Sequence, residues 1–422
     1  MAASGGRSLR EFVEELIRFE SVTGAEGPAQ SWFEDQLQGF GFETYTWEGD
    51  AERLADHPSF PDDPTAIDVA DRPSVGGVLE FGDPDAGETL VLNGHVDVVP
   101  VEEQSWTSPP FEATWLDDGA RLRARGAADM KSSLAACLFA ALDVRDRVES
   151  GAVSLDGRVV VESVVDEEAG GIGATMAALQ NPYLFDRDAA IVGEPTQLRP
   201  YTAAEGSVMK RLQLTGRSAH AATRWRGESV LPHFIAIYEA FMDLEAERAT
   251  SVTHPLYERF DNPWPVNVGT VNAGAWASSV PADLVAELRL GVAPGETVDE
   301  VEAAFEERLA AVVADSEWLA DHPPAFERFS VQFEPAVVDE DEPVVDAVQA
   351  AMQANDQTAT EPLGATYGAD SRHYLAAGIP TVMFGPGTIE QAHFPDETIE
   401  WADVETARRV LADAVTTYLR DA

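Results

Sequence analysis

Cysteine and lysine are nearly absent from this chain. Cys137 is the one cysteine, so a disulfide framework and a cysteine metal cage are both excluded, and any metal must be held by His, Asp and Glu. Lysine occurs only at Lys131 and Lys210, and the remaining positive charge is arginine. Long apolar runs are also missing. None reaches the length of a membrane-spanning helix, and the first residues lack the charged-then-apolar pattern of a secretion signal, so the expected location is cytoplasmic. Basic residues are few overall: 28 Lys and Arg face 75 Asp and Glu, for a net charge of −47. Such a surface repels phosphate backbones and anionic lipids, which excludes nucleic acid and membranes as partners.

Acid spread along the whole chain with almost no lysine resembles the composition of halophilic archaeal proteins, which fold in molar salt. There the Debye length is only ~3 Å and self-repulsion is screened. With 45% apolar residues the chain has the content of a soluble globular protein, and 422 residues exceed one ordinary core, so two domains are expected.

What is present is a recurring unit: an apolar strand, an acidic tip, then a helix. Residues 89–98 form a near-continuous apolar strand containing His95-x-Asp97. Residues two apart on a strand point to one side, so His95 and Asp97 can face each other, a ligand and a carboxylate that fixes its tautomer. Asp129 follows a glycine-bearing turn just before an apolar helix at 133–144. Strand 158–165 ends in Asp166-Glu167-Glu168, and helix 172–179 follows. Strand 189–192 ends in Gly193-Glu194-Pro195-Thr196, and a last strand at 380–384 precedes His393. This is the pattern of an α/β fold, in which ligands gather at the carboxyl ends of strands. Carboxylates converging there repel one another unless cations neutralise them.

From Gly206 the pattern changes. Strand 208–215, helix 230–244, strands 266–272 and 284–292, helix 298–313 and strand 329–333 spell βαββαβ, a small α+β unit inserted in the larger one. The expected division is a catalytic domain of residues 1–205 and 339–422 around an inserted domain of residues 206–338.

Taken together, His95-x-Asp97, Gly126-x-x-Asp129-Met130-Lys131, Glu167-Glu168, Gly193-Glu194-Pro195-Thr196 and His393 resemble the motif blocks of a co-catalytic di-zinc amidohydrolase family. That family contains acetylornithine deacetylase, succinyl-diaminopimelate desuccinylase, aminoacylase and glutamate carboxypeptidase. The resemblance implies a zinc-peptidase-like catalytic domain with a mainly parallel mixed sheet flanked by helices, and an inserted domain that makes a homodimer. It implies two divalent ions, zinc or alternatively cobalt. His95 and Glu194 would hold one, Glu168 and His393 the other, and Asp129 would bridge them. Glu167 would be the general base for a metal-bridging water, Asp97 the orienter of His95, and the Asp129–Met130 peptide would be cis. Which of the adjacent glutamates is the base rests on the resemblance alone.

The same resemblance assigns His220, in Ser218-Ala219-His220-Ala221, to the partner subunit's site, where it would stabilise the tetrahedral oxyanion. Arg289 would grip the substrate carboxylate, a task suited to a planar fork of donors. Ser278 stands in a loop where relatives often carry asparagine just before the Val-Pro step, and its reach is shorter. Arg372 would bind a second carboxylate or pair with a surface acid. The expected reaction is hydrolysis of the amide of a small N-acyl amino acid, of the N-acetylornithine or N-succinyl-diaminopimelate type. A dipeptidase or carboxypeptidase is the alternative. A catalytically inactive binding protein on this fold would be marked by loss of Glu167 or His393, and both are present.

Overall fold

The computed structural model describes residues 7–421, so residues 1–6 and 422 of the expected catalytic domain lie outside the described residues. Strands without a polar face lie at its centre. Every residue of Thr89–His95, Gly157–Val164 and Ala189–Val192 is buried. Their side chains alternate between two cores, as strand geometry requires. Leu90, Leu92, Val159 and Val161 pack under the helices Leu9–Ile17, Lys131–Glu149 and Trp401–Asp421, while Val91 and Val160 pack with Ala174 and Tyr374 on the other face.

A sheet covered on both faces suits parallel pairing. Gly157–Val164, Thr89–His95, Ala189–Val192 and Thr381–Met383 are neighbours in that order and all run parallel. Antiparallel strands flank them: Ser74–Phe81 and Glu43–Trp47 on one side, Tyr201–Ala204 and Ala336–Val337 on the other. The fold class is therefore the expected one, a mainly parallel mixed sheet between helices.

Lys131 opens its helix fully buried, and its Nζ donates to the carbonyls of Phe19 at 2.7 Å and Leu16 at 3.4 Å. It thereby closes the carboxyl end of Leu9–Ile17. A short hairpin of Thr114–Leu116 and Arg121–Arg123, which the turn residues Asp117-Asp118-Gly119 predict, gains Thr398–Glu400 as a third strand that brings the segment after His393 back to the loop before Asp129.

The inserted segment forms its own antiparallel sheet, ordered Val266–Ala273, Asp283–Val292, Gly206–Thr215, Ala325–Arg328. Helices Leu231–Ser251 and Val298–Ala314 cover it through Phe241 and Phe305, which meet Leu212 and Leu288 in a separate core. The βαββαβ order holds, with one correction: the last strand is Ala325–Arg328, not 329–333. Alternating Phe329, Val331 and Phe333 imitate a strand, but Ser330 takes φ 57° and breaks the ladder. The Gln332 side chain then accepts the Met209 N–H that a strand would have taken.

Among the described residues no helix is long and apolar enough to cross a membrane.

Candidate metal centre

The four parallel strands deliver their carboxyl ends to one place. His95 is the last residue of its strand. After Gly157–Val164 the chain reverses at Asp166, with φ 73°, into the single turn Glu167–Ala169. Glu194 lies two residues beyond Ala189–Val192, and His393 is reached from Thr381–Met383 by a loop. Asp129 stands two residues before the helix Lys131–Glu149, and its peptide bond to Met130 is cis.

His95 Nε2 lies 3.1 Å from Asp129 Oδ1. His393 Nε2 lies 2.8 Å from Glu168 Oε2 and 3.8 Å from Asp129 Oδ2. The two oxygens of Asp129 thus turn towards different histidines. Two sets result, His95 with Asp129 and Glu194, and Asp129 with Glu168 and His393, each with its ligand atoms within 4.8 Å of one another.

Asp97 acts differently from expectation. Its backbone carbonyl, at 3.0 Å, faces His95 Nδ1, whereas its carboxylate stands 3.6 Å away, beyond a hydrogen bond. That carboxylate instead accepts the N–H groups of Glu167 and Glu168, both at 3.2 Å, and the Thr23 hydroxyl at 3.1 Å. One residue therefore holds the histidine with its backbone and the glutamate turn with its side chain.

The charges at this place oppose one another. Burial, then the charge of Glu194, pushes the Glu167 carboxyl well above its ordinary range, and burial, Asp129 and Asp370 do the same to Glu194. Burial also disfavours charge on Asp129, yet the His95 hydrogen bond and charge hold its carboxyl below the ordinary value. Glu194 Oε1 is buried without a hydrogen-bond partner. A buried carboxylate oxygen left unpaired between acids is what a cation site needs, and imidazole plus carboxylate suits zinc, cobalt or manganese. The residues present fit such ions.

A cavity of about 230 Å³ opens over these groups, with Glu167, Asp129, Glu168, Glu194 and His393 on its wall and His95 behind it. Ser207 and Arg289 reach it from the smaller sheet, and Phe333 and Tyr367 complete it. Arg289 Nη1 donates to Glu205 Oε1 at 3.0 Å, and burial pushes the Glu205 carboxyl up to about 7.

The other sequence candidates lie elsewhere. Arg372 is buried; its Nη2 donates to the Gly170 carbonyl at 2.7 Å and its Nη1 to that of Ala369 at 3.0 Å, with the guanidinium 4.1 Å from the Phe333 ring centre. It holds the end of the glutamate turn, away from the cavity wall, and of its two expected roles it takes the pairing with an acid, its Nε 3.7 Å from the partly exposed Glu334 Oε2. His220 is exposed, and its Nδ1 accepts the Ala222 N–H at 3.1 Å. Ser278 is exposed too, its carbonyl accepting from Ala221 at 2.9 Å. Within one chain neither lines the cavity.

Sequence reasoning missed Glu397. It is fully buried, pairs with Arg125 Nη1 at 2.8 Å, and accepts the N–H groups of Gly126, Ala128 and Asp129 at 3.0, 2.7 and 3.1 Å. Burial pushes its carboxyl up to about 7. Its only signal was proximity to His393.

Histidines and carboxylates gathered at the ends of parallel strands are the equipment of a metal-dependent hydrolase of amide bonds, and comparison with known proteins puts this chain in that class. It belongs to peptidase family M20/M25/M40, whose family model matches residues 91–417. It is 29% identical over 363 residues to N-formyl-4-amino-5-aminomethyl-2-methylpyrimidine deformylase from Halalkalibacterium halodurans, covering 79% of each chain. It is 29% identical over 335 residues to acetylornithine deacetylase from Proteus mirabilis, covering 78% of this chain and 79% of that one. In fold it resembles the di-peptidase Dug1p from Saccharomyces cerevisiae, with a TM-score of 0.74 at 14% identity, over 98% of this chain and 96% of that one.

Proposed function

We propose that this protein hydrolyses the amide of an N-acyl amino acid, of the N-acetylornithine or N-succinyl-diaminopimelate type. The observation that carries this reading is the pair of ligand sets sharing Asp129, which lies with Glu167 on the wall of one cavity. His95 and Glu194 would hold one divalent ion and Glu168 and His393 the other, zinc or cobalt, with Asp129 offering an oxygen to each. Such ions supply Lewis-acid activation of water and of the amide carbonyl. Glu167 takes one proton from the attacking water as its oxygen bonds to the carbonyl carbon. The C–N bond then breaks as Glu167 returns that proton to the departing nitrogen, and the water's second proton passes from the new carboxylic acid to the amine, leaving a carboxylate and an ammonium ion.

Arg289 takes the substrate carboxylate. A cavity of about 230 Å³ is smaller than the ~300–1,000 Å³ of drug-sized ligand sites, which favours a short acyl group such as acetyl. Identity to an acetylornithine deacetylase supports the same choice.

We further assign residues 206–338 to a dimerising domain, supported by their separate core. Strand Val266–Ala273 stands at the edge of its sheet, and Ile235, Tyr238 and Trp276 are exposed on the same unit. His220 and Ser278 are also exposed on this unit, as His220 must be to serve the partner subunit's cavity.

Hydrolysis by purified protein in concentrated potassium chloride, with and without zinc or cobalt, tests the reading across N-acetyl amino acids, N-succinyl amino acids and dipeptides. Metal-dependent release of one amine from an N-acyl substrate, abolished by Glu167→Ala, is expected. Turnover confined to dipeptides would replace it with a peptidase.

A further inference from the structure

Tyr367 lies between the strand Leu363–Ala365 and the helix Ser371–Ala376. Its segment is held firmly. The Ala365 carbonyl accepts from the Tyr257 hydroxyl at 2.7 Å and from the Glu205 N–H at 3.0 Å. Gly368 presses so closely on Phe333 that a Cβ there would lie 2.6 Å from the ring. The Tyr367 ring packs with Val192, Ala204 and Met383 from the larger sheet. A side chain fixed in this way offers its polar end at a defined point.

That point is the cavity of the metal centre. Tyr367 shares its wall with Glu167, Asp129 and Glu194, and its hydroxyl oxygen is buried without a hydrogen-bond partner. A buried hydroxyl left unpaired is costly, so the position is explained by a group that arrives there. On the same wall the Arg289 Nη1 bonds Glu205 and His393 faces Glu168. A phenol, with an ordinary pKa of about 10, carries its proton at neutral pH and serves as a neutral donor. Arg289 is the cation suited to a permanent carboxylate. An uncharged, preorganised donor beside the base suits a charge that grows and disappears within one turnover.

We propose that Tyr367 is a catalytic residue of this chain, its hydroxyl donating to the amide carbonyl oxygen as that oxygen gains negative charge in the tetrahedral adduct. The inference deepens the proposed reaction and rests on it only in placing the scissile amide in this cavity.

Tyr367→Phe keeps the ring packing and removes the donor. Its kcat and KM are measured on an N-acetyl amino acid and on a dipeptide, alongside metal content and the affinity of a phosphonate that mimics the tetrahedral adduct. The expected result is a fall in kcat of about 10²–10³-fold on every amide the parent cleaves, with KM and metal content unchanged. Phosphonate affinity falls with kcat, while affinity for the product amine is unchanged. A raised KM at constant kcat, or a loss limited to one substrate, would overturn the proposal by showing a specificity contact; unchanged kinetics or lost metal would overturn it as well. If the parent cleaves only dipeptides, the N-acyl reading fails while the Phe variant is still decided on the dipeptide.

Discussion

Glu397 ties down the loop that carries Asp129 by accepting three of its backbone N–H groups and pairing with Arg125. Glu397→Gln keeps the size but surrenders the charge and one acceptor. Metal affinity measured by chelator competition should fall about 10–100-fold, as for other groups that orient metal ligands, and unchanged affinity would remove this role. Glu205 carries a pH prediction. Its carboxyl sits near 7 in the folded chain against 4.5 as reference, so the folded state keeps a proton that the unfolded state gives up. Stability from this residue is therefore full below pH 4.5 and lost as pH rises through about 7. Urea midpoints on either side of that window should fall with rising pH in the parent, and this component should be missing in Glu205→Gln. His95, Asp129, Glu167, Glu168, Glu194 and His393 were legible because each lies at or near a strand end or turn that a short motif marks. Tyr367 and Glu397 were not, since one tyrosine in a loop, or one acid among 75, has no local signature until the fold buries it.

The turn Glu167–Ala169 is held at both ends, its first two N–H groups by the Asp97 carboxylate and the Gly170 carbonyl after it by Arg372. Asp97→Ala leaves those N–H groups without their acceptor and loosens the base and a ligand together. A kcat lower by about 10–100-fold is expected at full metal loading, with a stability loss of about 1–3 kcal/mol in urea; unaltered kcat would show that the turn stands without Asp97. Strands such as Thr89–His95 and Gly157–Val164 were readable because an unbroken apolar run fits a sheet covered on both faces. The strand misplaced at 329–333 failed for a local reason, since alternation is also satisfied by a segment that Ser330 turns away from the ladder.

At the scale of the molecule, a net charge of −47 makes self-repulsion a large cost in dilute buffer. The melting temperature should rise steadily with potassium chloride up to molar concentrations, as followed by tryptophan fluorescence. A flat or falling response would sever the link between composition and salt. Composition and motif order were enough to determine the α/β class, the inserted βαββαβ unit and the use of His and carboxylates for metal, because these depend on local periodicity and on which residue types exist in the chain. Only the tertiary structure decided that Asp97 grips the glutamate turn, that Arg372 is buried behind it, and that Tyr367 and Glu397 reach the centre. Such contacts join residues tens to hundreds of positions apart, and no local pattern encodes which of them the packing brings within hydrogen-bonding distance.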